Sequence, residues 1–207
     1  FRERFDLIDV PCVMVTNSAE GLNFSNLSSV CIDDTKAGKT AIEYLISRGH
    51  KNIGVLGGEM KYSNPAKARY TGCLQAFEEQ AVCFQPEKQY VCSFFTMESG
   101  YHAMKELLQK SSNITAVFAM SDVTAIGAIR AIRDTGLRVP EDISVIGFDG
   151  IELGQFMEPK LTTIQQPGIN IAEHCVKILV QCIQKKRTAV REQISFTMIA
   201  GESTRSL

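Results

Sequence analysis

Short apolar, often β-branched runs alternate along this chain with longer segments whose apolar positions recur every three or four residues. That alternation admits few folds, because it asks for strands buried on both faces and for helices that cross over to cover them. Residues 12–15, 30–32, 52–56, 89–92, 115–119, 143–147 and 161–164 read as strands, and 193–199 as a last extended piece. A helix capped by Asp34 carries Ala37, Ala41, Ile42, Leu45 and Ile46 on one stripe and stops at Gly49. Asn64-Pro65 offers a cap followed by a first-turn proline, with Tyr70, Cys73, Leu74 and Phe77 on one face behind it. Thr96 and Ser121 cap two more helices, and a last one runs over about 169–183. The class expected is α/β, with doubly wound parallel sheets.

Composition removes several functions. No apolar run approaches the roughly 18 residues a membrane helix needs, and 22 basic residues against 23 acidic ones leave a net charge of −1. Such a balance supplies no basic field for gripping nucleic acid. The seven cysteines contain no Cys-x-x-Cys pair, and His50, His102 and His174 lie far apart, so neither a zinc framework nor any other metal is expected. Most cysteines sit among apolar neighbours and read as reduced core thiols of a cytoplasmic protein. The opening Phe1-Arg2-Glu3-Arg4-Phe5-Asp6 has charge where a secretory leader would be apolar. Asn-x-Ser/Thr triplets at Asn23, Asn26 and Asn113 then read as chance matches.

Ligands of open parallel sheets bind beyond the carboxyl ends of the strands. There the sequence places Asp33-Asp34, Gly57-Gly58, Phe94-Phe95, Ser121-Asp122 and Asp149, with Arg69 one turn into the helix behind Gly57-Gly58. Carboxylates accept hydroxyl protons, a guanidinium donates a rigid fork and a ring covers an apolar face, which suits a small neutral polar ligand. Each residue also has a plainer reading. Asp34 and Ser121 can be helix caps alone, Asp149 can open an Asx turn, and Arg69 can make a weak surface ion pair. Of Phe94 and Phe95, at least one should be core. Gly54 to Gly58 lacks dinucleotide or Walker spacing, no Gly-x-Ser-x-Gly elbow occurs, and His50 reads as a helix-end residue. No cofactor and no enzymatic reaction are expected. Lys185-Lys186-Arg187 reads as a solvated helix terminus.

The run from Ala119-Met120-Ser121-Asp122 through Val139-Pro140-Glu141-Asp142-Ile143-Ser144-Val145-Ile146-Gly147-Phe148-Asp149 to Leu161-Thr162-Thr163-Ile164-Gln165-Gln166-Pro167 resembles the effector-binding core of the LacI/GalR family of bacterial transcriptional regulators. Arg69-Tyr70-Thr71-Gly72 and residues 33–51 carry the resemblance further. It implies a type I periplasmic-binding-protein-like fold of two doubly wound subdomains, three crossings and an effector cleft between the lobes. The effector contacts it implies are Arg69, Asp149, Phe95, Ser121, Asp122, Asp33 and Gln166. Ser121 stands where the family usually has Asn, and Gly150 where a second Asp is frequent.

Matched to that pattern, residues 1–49 with 167–192 correspond to a partial first subdomain, and 50–166 with 193–207 to the second. The DNA-binding headpiece and the opening of the first lobe have no counterpart here, so a fragment with exposed apolar faces is expected. The function implied is binding of a sugar-like or nucleobase effector and transmission to operator DNA through a headpiece outside this chain, as a homodimer in the cytoplasm with no membrane contact. The alternative is a solute-binding receptor for sugar uptake or chemotaxis.

Overall fold

The computed structural model describes residues 9–22 and 24–207, so the Asn23 triplet and the opening six residues discussed above lie outside the described residues. The chain divides into two compact units, 1–33 with 167–196 and 34–166 with 197–207.

The smaller unit has a parallel three-stranded sheet in the order β1 (Cys12–Val15), β2 (Leu27–Cys31), β8 (Arg191–Gln193). One helix of this unit, α7 (Gly168–Ile183), buries Ile171, Cys175 and Ile178. It leaves Ile169, Val176, Val180 and Ile183 exposed.

The larger unit carries a six-stranded sheet in the order β4 (Tyr90–Cys92), β3 (Ile53–Gly57), β5 (Ala116–Ala119), β6 (Ser144–Asp149), β7 (Thr162–Gln165), β9 (Thr197–Ile199). All neighbours are parallel except β9, which returns antiparallel to β7. The expected extended piece over 193–199 is therefore two strands, one ending in each unit. Its helices are α1 (Asp34–Ser47), α2 (Asn64–Glu79), the short α3 (Pro86–Gln89), α4 (Met97–Lys110), α5 (Asp122–Asp134) and the short α6 (Leu153–Phe156).

Strand side chains alternate between faces. Leu56, Val91, Val117 and Val145 meet Ala103, Met104 and Leu107 of α4 and Ala125, Ala128, Ile129 and Ile132 of α5 in one buried cluster. Val55, Phe118, Ile146 and Phe148 are buried on the other face, where α1 and α2 pack. Helix α1 belongs to this unit, not to the smaller one as the family-based division at residue 49 has it. Its stripe of Ala37, Ala41, Ile42 and Leu45 is fully buried here, and backbone contact with α2 fixes it: a Cβ at Gly38 would strike the Arg69 backbone, and one at Gly72 the Thr35 carbonyl. The pair α4 and α5 repeats the device, Gly100 against the Thr124 backbone and Gly127 against Met97.

Some local readings change and others hold. Ser63, not Asn64, caps α2 and accepts from the Ala66 N–H. The Thr96 cap is real and reciprocated by Ser99 as a capping box. Buried Cys31, Cys73 and Cys175 fit the core-thiol reading, whereas Cys83 and Cys92 are exposed.

His50 is fully buried rather than solvated at a helix end. Its Nε2 lies 3.1 Å from the Arg205 carbonyl, which can only accept, and its Nδ1 3.0 Å from the Thr115 hydroxyl. That carbonyl places the proton on Nε2 in the neutral ring. Burial, aided by the charges of Arg205 and Arg48, lowers its pKa below the ordinary 6.5. A depressed value means that the folded state prefers neutral His50, so its contribution is present above the unfolded value and lost as pH falls through the folded one. In urea denaturation, the stability gap between the protein and His50→Gln should narrow as pH falls from about 7.5 to 5; a gap independent of pH would contradict the buried neutral ring.

Gly127→Ala should cost about 1–3 kcal/mol or more, because backbone rather than a flexible side chain blocks the new carbon. Gly168→Ala, where an added carbon meets nothing within 4 Å, is the control. Thermal melts of the two variants check this.

Candidate functional site

Strand β3 connects through α2 to β4 on one side, and the next strand, β5, lies on its other side. Strand order thus reverses between β3 and β5, which opens a crevice at the carboxyl ends of those strands. The residues after β3 through β7 converge there.

Arg69, on α2, is 6% exposed and thoroughly engaged. Its Nε donates to Asp34 Oδ1 at 2.7 Å, its Nη1 to the Met120 carbonyl at 2.6 Å, and its guanidinium carbon lies 3.5 Å from the Phe148 ring centroid. The surface ion pair weighed from sequence is excluded. Asp34 is more than a cap: it opens α1, where the helix dipole favours a carboxylate, and closes a buried ion pair.

Asp149 ends β6 with φ +113, a backbone conformation costly for a side-chain-bearing residue. Gln166, just beyond β7, holds it twice, through a 3.0 Å backbone bond to the Asp149 carbonyl and a 2.9 Å bond from Nε2 to Oδ1. Burial raises the Asp149 pKa, and the Arg69 charge and the Gln166 bond counter the rise in part. Gln166 Oε1 is buried without a hydrogen-bond partner among the described residues. The glycine at 150 also has a reason. With φ +74 it already favours no side chain, and a Cβ there would fall 2.6 Å from the Gln165 side chain.

Asp122 has no exposed surface. Its Oδ2 accepts from the Ile151 N–H at 2.7 Å and its Oδ1 from the Thr163 hydroxyl at 2.6 Å. Burial pushes its pKa up to about 6 despite those bonds. One oxygen therefore holds the loop after Asp149, and the other ties α5 to β7. Ser121, likewise buried, caps α5 by accepting from the Thr124 N–H at 3.2 Å and donates to the Thr124 hydroxyl at 2.8 Å. The geometry makes both supports of the site rather than part of its open surface.

Phe95 follows β4 with φ +55 and is 36% exposed, and its ring lies where a Cβ at Gly58 would be. Phe94 is 71% exposed, so neither phenylalanine is core, contrary to the expectation for the pair. Asp33 follows β2 in the smaller unit and is half-buried. Among the described residues, no group of three His, Cys, Asp or Glu could hold a metal, and no helix is long and apolar enough to cross a membrane. Lys185 and Lys186 are exposed beyond α7, and Arg187 pairs with Glu192 at 2.8 Å. Sequence reasoning missed the partners of Arg69. The signal available was that an arginine aimed at a crevice needs a buried acceptor, and Asp34 lay after the preceding strand.

A doubly wound unit with an aspartate, a glutamine, a guanidinium and a ring at its switch point is the architecture of small-molecule binding proteins. The family model described as periplasmic binding protein-like domain matches residues 42–204, and the chain belongs to that family. An HTH-type transcriptional repressor PurR of Pasteurella multocida is 38% identical over 201 residues, covering 89% of this chain and 60% of that protein. Its namesake in Salmonella arizonae is 40% identical over 164 residues, covering 79% and 48%. Among solved structures, the transcriptional regulator CelR–cellobiose complex superposes with a TM-score of 0.83 at 30% identity, covering 89% of this chain and 56% of that one. A LacI family transcriptional regulator from Enterococcus faecium with bound ribose gives 0.83 at 29%, covering 95% and 71%. Within its family the chain is thus a core of the LacI/GalR type. It spans about half to three-fifths of the length of these curated relatives.

Removing Arg69 takes the ion-pair partner away from a buried carboxylate. Arg69→Met should cost about 3–5 kcal/mol, and Arg69→Lys, which keeps charge but not the fork, about 1–2 kcal/mol. Urea midpoints measure both, and equal losses would mean that fork geometry contributes nothing beyond charge.

Proposed function

We propose that this chain is the effector-binding core of a bacterial transcription regulator, taking a small, neutral, polar ligand at the carboxyl edge of the larger unit's sheet. Asp149 carries the reading. It is a strained, half-buried carboxylate fixed by Gln166 within the field of Arg69, and strain of this kind persists where surrounding structure holds a binding group in place. Arg69 and Asp34 offset one another, so the net charge presented is that of a carboxylate, which suits hydroxyl or N–H donors and repels phosphate. Phe95 supplies a face for the apolar side of a sugar or base.

Sugar-like ligands fit best, since structural relatives at 29–30% identity hold cellobiose and ribose; a nucleobase is the second class. Gln166 completes the proposed contacts at that edge. Operator binding runs through a headpiece outside this chain, in a cytoplasmic homodimer. The effector acts by binding one arrangement of the longer protein better than another. The repressor names of the relatives support this reading over a solute receptor, and support a binding module rather than a catalyst.

A thermal-shift screen of monosaccharides and purine bases should yield at least one stabilising compound. Calorimetric titration of that compound should show affinity lowered at least about tenfold in Asp149→Ala, which loses a charge-assisted hydrogen bond, and little changed in Lys185→Ala. Undiminished affinity in Asp149→Ala would move the site elsewhere.

A further inference from the structure

A cavity of about 370 Å³ lies at the opposite end of the larger unit's strands, lined by Asn52, Cys83, Gln85, Lys88, Gln89, Ser111 and Asn113. Its walls come from the residue before β3, the α2–α3 connection with α3, and the α4–β5 turn. These are the amino-terminal ends of β3 and β5, away from Arg69 and Asp149. The volume falls within the range of small-molecule sites.

The lining chemistry is one-sided. No carboxylate lines the cavity, whereas one ammonium, three carboxamides and two hydroxyl or thiol groups do besides Gln89. Lys88 has no ion pair among the described residues, and the side-chain amides of Asn52 and Gln85 make no hydrogen bond among them. Ser111 donates to Asn113 Oδ1 at 2.9 Å, which leaves the Asn113 NH₂ as a donor.

The walls are also held in place. Gln89 is 6% exposed, its Oε1 accepting from the Gln85 N–H at 2.7 Å and its Nε2 donating to the Ile53 carbonyl at 2.9 Å. One buried amide thus ties the α2–α3 connection to β3. Across the cavity, the Asn52 carbonyl accepts from the Thr115 N–H at 2.9 Å, fixing the start of β3 against that of β5.

We infer that this cavity is a second ligand site, separate from the proposed effector site, that binds the oxyanion of a small phosphorylated molecule through Lys88, Asn113, Asn52 and Gln85. An ammonium flanked by neutral amide donors with no competing carboxylate is the arrangement that holds an oxyanion. The cavity exceeds the size of a bare phosphate, so the remainder holds the organic part of a monoester. A regulator with the two sites would read two molecules at once.

The test titrates the ¹⁵N-labelled protein with inorganic phosphate and, separately, with glycerol phosphate, at ionic strength held constant with chloride. Saturable shifts of the Asn52, Gln85 and Asn113 side-chain amides are expected with both, with tighter binding of the monoester. Lys88→Gln and Asn113→Asp should each raise Kd at least about fivefold, while Asp149→Asn should not change it. The inference is overturned by shifts that do not saturate, by shifts indifferent to Lys88→Gln, or by shifts centred on Asp149 and Gln166. It stands or falls independently of the sugar reading, because the two titrations probe residues at opposite ends of the strands.

Discussion

The buried ion pair between Arg69 and Asp34 is the interaction on which the larger unit's carboxyl edge depends. It joins the start of α1 to α2, and the same guanidinium reaches the Met120 carbonyl beyond β5 and lies over Phe148 in β6. One side chain therefore registers two helices and two strand ends against each other. A buried pair of this kind adds little net stability compared with a well-packed apolar substitute. What it supplies is a fixed charge pattern: burial raises the Asp149 pKa, the Arg69 charge counters that rise in part, and the Asp34 carboxylate adds to it.

A second set of groups acts one step behind the surface. Asp122 spends both oxygens on Ile151 and Thr163, Ser121 spends its hydroxyl on Thr124, and Gly150 leaves room for Gln165. These residues shape the loop that presents Asp149 at its unusual φ. A carboxylate held at high backbone cost needs such support, because without it the loop would relax.

Much of this was legible in the sequence. Strand and helix alternation, the caps at Thr96 and Ser121, and the convergence of Arg69, Asp149 and Phe95 on strand ends follow from periodicity and from the geometry of parallel sheets. The rest depended on long-range contact that local pattern does not carry. His50 looks like a helix-end residue until Arg205, far along the chain, is seen to meet its ring. Family matching groups helix α1 with the smaller unit until the glycines at 38 and 72 are seen to bring its backbone against α2. Asp122 looks like a ligand contact because acidic residues at strand ends often are, and only the Thr163 hydroxyl and the Ile151 N–H reveal what it holds. The extended piece at 193–199 broke in two because each half found a different sheet to join.

The antiparallel return of β9 has a consequence for how the chain can be cut. After Phe196 the last eleven residues re-enter the larger unit: Ser203 bonds Val145 and Thr162, Arg205 meets both Ser144 and His50, and Leu207 reaches the Arg48 carbonyl. A version trimmed after Phe196 would strip β7 of one of its two neighbours and strand an imidazole in the interior. The tail is a closing stitch, and any excised domain has to keep it.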